Sequence, residues 1–258
     1  MESLTPPPEL LEYAALVAAG LGGGFINTVA GGGSLLTLPA LMLVGLPVHE
    51  ANGSNRLAVV THSIAGVLGF QREGRLPRRA LAPVVLPTMA GAGLGAWAAS
   101  VAPEAVLRPA LLSMLVGMAL LLLVRPRLVD PAADEAPRPA LEHPGALLGL
   151  AAAGFYGGLV QAGVGFVLLG VLGGLLRYDP VRANALKLAC TLLFGLLALG
   201  IFAAAGQVRW VPAAVLAAAT AVGAQLGVRF ALRVSAAALR WVLFVTVALS
   251  CAAVWLKG

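Results

Sequence analysis

Acidic residues are scarce in this chain: 11 Asp and Glu stand against 17 Lys and Arg in 258 residues. No Asp falls inside a long apolar run, and Glu50 and Glu104 sit only at the edges of such runs. A membrane-embedded enzyme, such as a lipid-phosphate hydrolase, needs clustered acids, a nucleophile with its base, or metal ligands. None of these is present in the apolar segments, so the chain reads as no enzyme. Cysteine is equally sparse. Cys190 and Cys251 both lie in apolar segments without a CxxC or Cys/His neighbourhood. They read as small buried hydrophobes, not as a disulfide or metal site. Nothing calls for a cofactor. Aromatics make up only 6%, and no basic stripe is interleaved with them. The net charge of +6 and pI near 10.1 therefore do not point to nucleic acid. The N-terminal stretch has Glu2, Glu9 and Glu12 but no Lys or Arg. A signal peptide needs a positive n-region, so the first apolar run is read as a retained helix.

What the chain has in abundance is apolar length. It is 60% hydrophobic and 11% charged, where a soluble domain carries roughly 25% charged residues. The charges fall between runs long enough for repeated bilayer crossing. The runs also repeat. At an offset of 132 residues Gly31 and Gly33 meet Gly163 and Gly165, Ala51-Asn52 meets Ala183-Asn184, and Leu107-Arg108 meets Leu239-Arg240. Gly22 meets Gly154 at the same offset, so no gap is needed. Each half then holds five apolar segments. They are 10–30, 34–46, 51–70, 80–99 and 104–124, then 145–162, 166–176, 180–205, 211–232 and 236–256. The second segment of each half is too short for a ~30 Å hydrocarbon core and follows a glycine cluster that breaks the helix. The fold class predicted is an all-α polytopic membrane protein of two inverted-topology repeats, with 8–10 membrane segments. Residues 1–130 form the first repeat, 131–143 a cytoplasmic linker and 144–258 the second repeat.

Charge sets the orientation. With the N-terminus outside, Arg72, Arg75, Arg78, Arg79, Arg125, Arg127, Arg138, Arg177, Arg182, Arg229, Arg233 and Arg240 all fall inside. Only Arg108, Arg209 and Lys257 fall outside. The positive-inside rule then places both termini on the extracytoplasmic face of a bacterial inner membrane. An odd number of segments per half makes the halves face opposite ways.

Paired helix breaks at mid-membrane are where secondary transporters bind substrate. The first break is built from Asn27, Gly31, Gly32, Gly33 and Ser34, and the second from Gln161, Gly163 and Gly165. Broken helices expose backbone N–H groups that attract anions, although such glycines also serve tight packing. Two cations lie inside apolar segments. Arg56 follows Asn52 by four residues with Asn55 beside it, and Lys187 follows Asn184 by three. An intramembrane cation is a functional candidate by default, and an anionic ligand would neutralise this pair. The competing reading is snorkelling from the first helical turns. Asn27 and Gln161 could donate to an anion or cap freed carbonyls. His62 could relay a proton, or hold an interhelical hydrogen bond. Thr191 and Gln225 are further polar groups at depth.

The run Phe25-Ile26-Asn27-Thr28-Val29-Ala30-Gly31-Gly32-Gly33-Ser34-Leu35-Leu36, followed by the Gly45-Leu46-Pro47 turn, resembles the TauE/SafE family of sulfite exporter-like permeases, also called TSUP. Ala51-Asn52-Gly53-Ser54-Asn55-Arg56 is similar to that family's Gly-Thr-Asn-Lys element, with Ser and Arg where Thr and Lys are common. Gly154-Phe155-Tyr156-Gly157-Gly158 and the stretch 183–187 also fit. The resemblance implies transport of sulfite, sulfonates or related small organic anions across the lipid bilayer. The chain is thus read as a secondary transporter, an exporter with protons as coupling ion. A passive anion channel is the alternative.

Overall fold

The computed structural model describes residues 8–29, 31–124 and 136–233. The tenth predicted segment, with Arg240 and Cys251, lies outside the described residues, as do Ala30, Arg125, Arg127 and Lys257.

The described residues are helical. The helices are α1 (Pro8–Val29), α2 (Ser34–Leu43), α3 (Val48–Arg72), α4 (Leu81–Val101), α5 (Glu104–Val124), α6 (Pro144–Leu159), α7 (Val164–Leu169), α8 (Pro180–Ala204) and α9 (Trp210–Arg233). Helix α7 runs on as a π turn over Gly170–Leu175. The boundaries follow local chemistry. Pro144 and Pro180 stand in the first turns of α6 and α8, where a missing N–H is harmless. Asp179 caps α8 by accepting from the Val181 and Arg182 amides at 3.1 and 3.0 Å. With 10 residues, α2 covers only about 15 Å at ~1.5 Å per residue.

Among the described residues, three stretches are long and apolar enough to cross a membrane: Arg78–Val101, Pro180–Ala204 and Trp210–Ala231. Helix α3 is longer than two of these, at 25 residues, but carries Asn52, Ser54, Asn55, Arg56, His62 and Ser63, all buried. Meanwhile Leu86, Leu94, Trp97 and Leu148 stand outward, 61–72% exposed. Polar groups inside and large apolar side chains outside is the arrangement a bilayer selects.

Packing pairs each half with the other. Helix α1 lies along α9, and α4 lies along α6. Both crossings are made by small residues that let backbones approach. A methyl at Gly91 would strike the Ala151 carbonyl and one at Gly95 the Phe155 carbonyl. In the other crossing Gly223 faces the Leu21 carbonyl and Gly227 the Phe25 carbonyl. Gly91 and Gly223 are 132 residues apart, but Leu21 and Ala151 are 130 apart, as are Phe25 and Phe155. The gapless register is therefore corrected at the first helices. By its contacts, Gly154, against the Thr88 carbonyl, corresponds to Gly24, against the Thr220 carbonyl, and not to Gly22. The second half carries two extra residues between Leu159 and Gly163. Beyond them the 132 spacing returns. Positive φ recurs at Gly31 and Gly163, at Gly45 and Arg177, and at Gly74 and Gly206.

Candidate substrate site at two helix breaks

The last carbonyls of a helix have no partner within it and carry a partial negative charge. Helices α1 and α6 both end deep inside the protein, so they leave this problem in the interior. The two buried cations answer it. Lys187 on α8 donates to the Asn27 carbonyl at 2.7 Å and the Thr28 carbonyl at 3.5 Å. Its third partner is Asn184 Oδ1 at 2.8 Å, and Asn184 Nδ2 donates in turn to the Val29 carbonyl at 3.4 Å. All three terminal carbonyls of α1 are thereby taken.

The end of α6 is held in the same way from α3. Arg56 donates to the Gly157 carbonyl at 2.5 Å and the Gly158 carbonyl at 2.7 Å. Its other partners are Gln161 Oε1 at 2.7 Å and Asn52 Oδ1 at 3.0 Å. Asn52 Nδ2 reaches the Leu159 carbonyl at 2.9 Å. The guanidinium also lies 5.1 Å from the centre of the Phe202 ring. Each half thus supplies the Asn-plus-cation pair that closes the other half's broken helix. Gln161 belongs to the two-residue insertion, with φ of 68°. It supplies Arg56 with an acceptor for which Lys187 has no counterpart. The snorkelling alternative is overturned. Arg56 and Lys187 are both 0% exposed and lie two turns into their helices, spent on backbone and side-chain amide oxygens.

The two breaks touch. A Cβ on Gly31 would stand 2.7 Å from the Gly165 Cα, and one on Gly32 would stand 2.6 Å from the Phe166 ring. Gly163 takes φ of 73° at the start of α7. Here the turn glycines pack backbone against backbone. Several turn amides also have partners within the chain: the Gly31 N–H donates to the Ile26 carbonyl at 3.1 Å, and the Gly33 N–H to Asn27 Oδ1 at 3.3 Å. Asn27 Nδ2 pairs with His62 Nε2 on α3. Ser34 is buried at the start of α2. Thr37 Oγ1 donates to Asn55 Oδ1 at 2.7 Å.

Beside the breaks, among the described residues, the buried donors Asn55 Nδ2 and Arg56 Nε have no acceptor. Among the described residues no Asp or Glu is buried to offset the two cations. No group of three His, Cys, Asp or Glu there could hold a metal ion. The other deep polar groups join helices: Ser63 and Thr191 Oγ atoms lie 3.0 Å apart, and Gln225 Nε2 donates to the Ala65 carbonyl at 3.1 Å.

The sequence profile of the sulfite exporter TauE/SafE family matches residues 16–254. The chain belongs to that family. A probable membrane transporter protein (ORF9) of Sinorhizobium sp. is 30% identical to it over 220 residues, 85% of this chain and 83% of the relative. A probable membrane transporter protein of Haemophilus influenzae is 27% identical over 219 residues, 84% of each chain. The probable membrane transporter protein YfcA of Escherichia coli is 28% identical over 226 residues, 86% of this chain and 80% of the relative. No solved structure matches. This TauE/SafE protein is a membrane transporter, with a small-molecule substrate and lipid around its apolar exterior. Three contributors to its helix breaks escaped the sequence reading. Thr37 was visible as a lone polar residue in a short apolar segment. Phe202, and Tyr156, whose hydroxyl donates to the Ala162 carbonyl at 2.5 Å, carry no such signal.

Proposed function

We propose that this transporter moves small anions, sulfite and organosulfonates among them, out of a bacterial cell by alternating access, with protons as coupling ion. One observation carries the reading: two fully buried cations with no buried acid beside them among the described residues. A helix C-terminus offsets roughly half a unit of charge, so two such ends leave about one positive charge in the interior. A small anion supplies the balance. The substrate seat is assigned to the Asn55 and Arg56 side chains, whose unpartnered Nδ2 and Nε favour an acceptor-only ligand. Asn27, Ser34, Asn52, Gln161, Asn184 and Lys187, with the turns at Gly31–Gly33 and Gly163–Gly165, frame it.

The exchange of partners between halves supports a two-fold relation about an axis in the membrane plane, with halves at 1–130 and 144–258 joined by the linker at 131–143. In this reading both termini are extracytoplasmic and the Arg72–Arg79 loop is cytoplasmic, as its charge favours. Opening means parting the two glycine turns, which requires one cation–carbonyl clamp to loosen.

The test is a thermal-shift panel on purified protein. Sulfite, an alkylsulfonate, a carboxylate, chloride and an organic cation would be compared at equal ionic strength. An oxyanion is expected to raise the melting midpoint and the cation to leave it unchanged. Equal response to all, or to none, refutes the anion reading.

A further inference from the structure

The two clamps match in place but differ in chemistry. The end of α6 is closed by an arginine, whose guanidinium keeps its charge at any pH a protein survives. The end of α1 is closed by a lysine, whose amine can release its proton. We infer that Lys187 is the proton carrier of this transporter, and that its deprotonation releases the broken end of α1 while the end of α6 stays clamped. The inference rests on the proton-coupled transport proposed above.

The donor count supports it. Lys187 faces three oxygens, the Asn27 and Thr28 carbonyls and Asn184 Oδ1. An ammonium has three N–H groups to match them. A neutral amine has two and a lone pair, so one oxygen would then face a lone pair. Losing the proton removes the charge that complements the helix end and one hydrogen bond together. Arg56 cannot make that change, and it has four bonds to Lys187's three.

The surroundings narrow the choice of carrier. Helices α1, α3, α4, α6 and α7 with its π turn pack on α8. From α3 the ionisable side chains are His49, Glu50, Arg56, His62 and Arg72. Of these, His62 lies nearest the clamp, its ring paired with Asn27. Helix α1 brings Glu9, Glu12 and Tyr13, two-thirds of its length or more from the break, and α6 brings Tyr156. Helices α4 and α7 and the π turn bring no ionisable side chain. Along α8 itself Arg182 pairs with exposed Asp179, and Cys190 faces Thr88. His62 Nε2 is the acceptor for Asn27 Nδ2, whose own oxygen takes the Gly33 amide. A proton on Nε2 would therefore oppose a donor, so His62 serves as the neutral neighbour. Its ring lies next to Asn27, the residue whose carbonyl Lys187 holds.

Hydrogen–deuterium exchange of the purified protein tests this without any substrate. Peptides covering the end of α1 and the end of α6 would be followed between about pH 6 and about pH 9, a range in which a lysine amine can be driven to titrate. The ratio of the two removes the intrinsic pH dependence of exchange. In the wild type the α1-end rate should rise at least several-fold over the α6-end rate as pH increases. K187R should hold the ratio flat and K187Q should hold it high at every pH, whereas H62Q should titrate like wild type. A flat wild-type ratio, or a K187R ratio that still titrates, overturns the assignment. In liposomes, K187R should also lose stimulation of anion efflux by an imposed pH gradient. If no anion moves at all, the anion reading fails by itself, and the exchange ratio still decides the role of Lys187.

Discussion

Substituting Gly31 by alanine separates two physical effects at one atom. Gly31 has φ of +96°, and its added Cβ would lie 2.7 Å from the Cα and carbonyl carbon of Gly165 and 3.1 Å from the Phe166 nitrogen. The backbone conformation alone costs an L-residue about 1–2 kcal/mol. Overpacking adds typically ~1–3 kcal/mol, and the obstructing atoms are backbone, which cannot swing aside. Gly31→Ala should therefore destabilise by about 2–5 kcal/mol in all. Two controls isolate the terms. Gly45 has φ of +84° with nothing within 4 Å, so Gly45→Ala should show the conformational cost alone, about 1–2 kcal/mol. Gly174 has open space and no positive φ, so Gly174→Ala should be neutral or stabilise by up to ~1 kcal/mol. The assay is reversible unfolding in mixed micelles titrated with denaturing detergent. If Gly31→Ala unfolds no more easily than Gly45→Ala, the two turns are not in contact and the paired-break account is wrong.

Other outcomes follow from the same geometry. Asn52→Ala and Asn184→Ala each remove one carbonyl cap and one acceptor of a buried cation, so each should cost about 1–2 kcal/mol, two membrane hydrogen bonds of ~0.6 kcal/mol or more. Arg56→Lys keeps the charge but reaches fewer than four acceptors, so unfolding should become easier while the protein still inserts; an unchanged profile would mean that the observed bonds do not form. Arg209→Ala should lower the melting midpoint only slightly, because in its 2.7 Å pair with Glu50 the arginine side chain is 63% exposed, and such pairs contribute about 0–1 kcal/mol. A cysteine placed at Arg75 should resist a membrane-impermeant maleimide in intact cells while one near the N-terminus reacts; the reverse pattern would invert the topology.

The helix boundaries were largely legible because apolar runs and glycine or proline punctuation mark them directly. Segment 104–124 coincides with α5, and 211–232 lies within one residue of α9 at each end. The register between the first helices was not legible. In a stretch rich in glycine and alanine, Gly22 and Gly154 align by coincidence, and only the carbonyls they pack against reveal the two-residue insertion. The candidate residues were found because a cation in an apolar segment stands out. Their side-chain partners Asn52, Gln161 and Asn184 were among the candidates too, but the main-chain acceptors were not legible, because Asn27, Thr28, Gly157 and Gly158 receive the cations through backbone oxygens. A backbone carbonyl leaves no trace in sequence, so the cations read as ligand seats when their first task is to close two broken helices.

The central claim is that an anion completes this positively charged interior. Sulfite efflux from proteoliposomes, measured for wild type, Arg56→Ala and Lys187→Ala, tests it most directly, with exposed Arg78→Ala as the control. Removing a charged partner from a buried site typically costs ~3–5 kcal/mol, so efflux should fall at least a hundredfold in both cation variants and stay unchanged in the control. Wild-type efflux rates in both Arg56→Ala and Lys187→Ala would contradict the account.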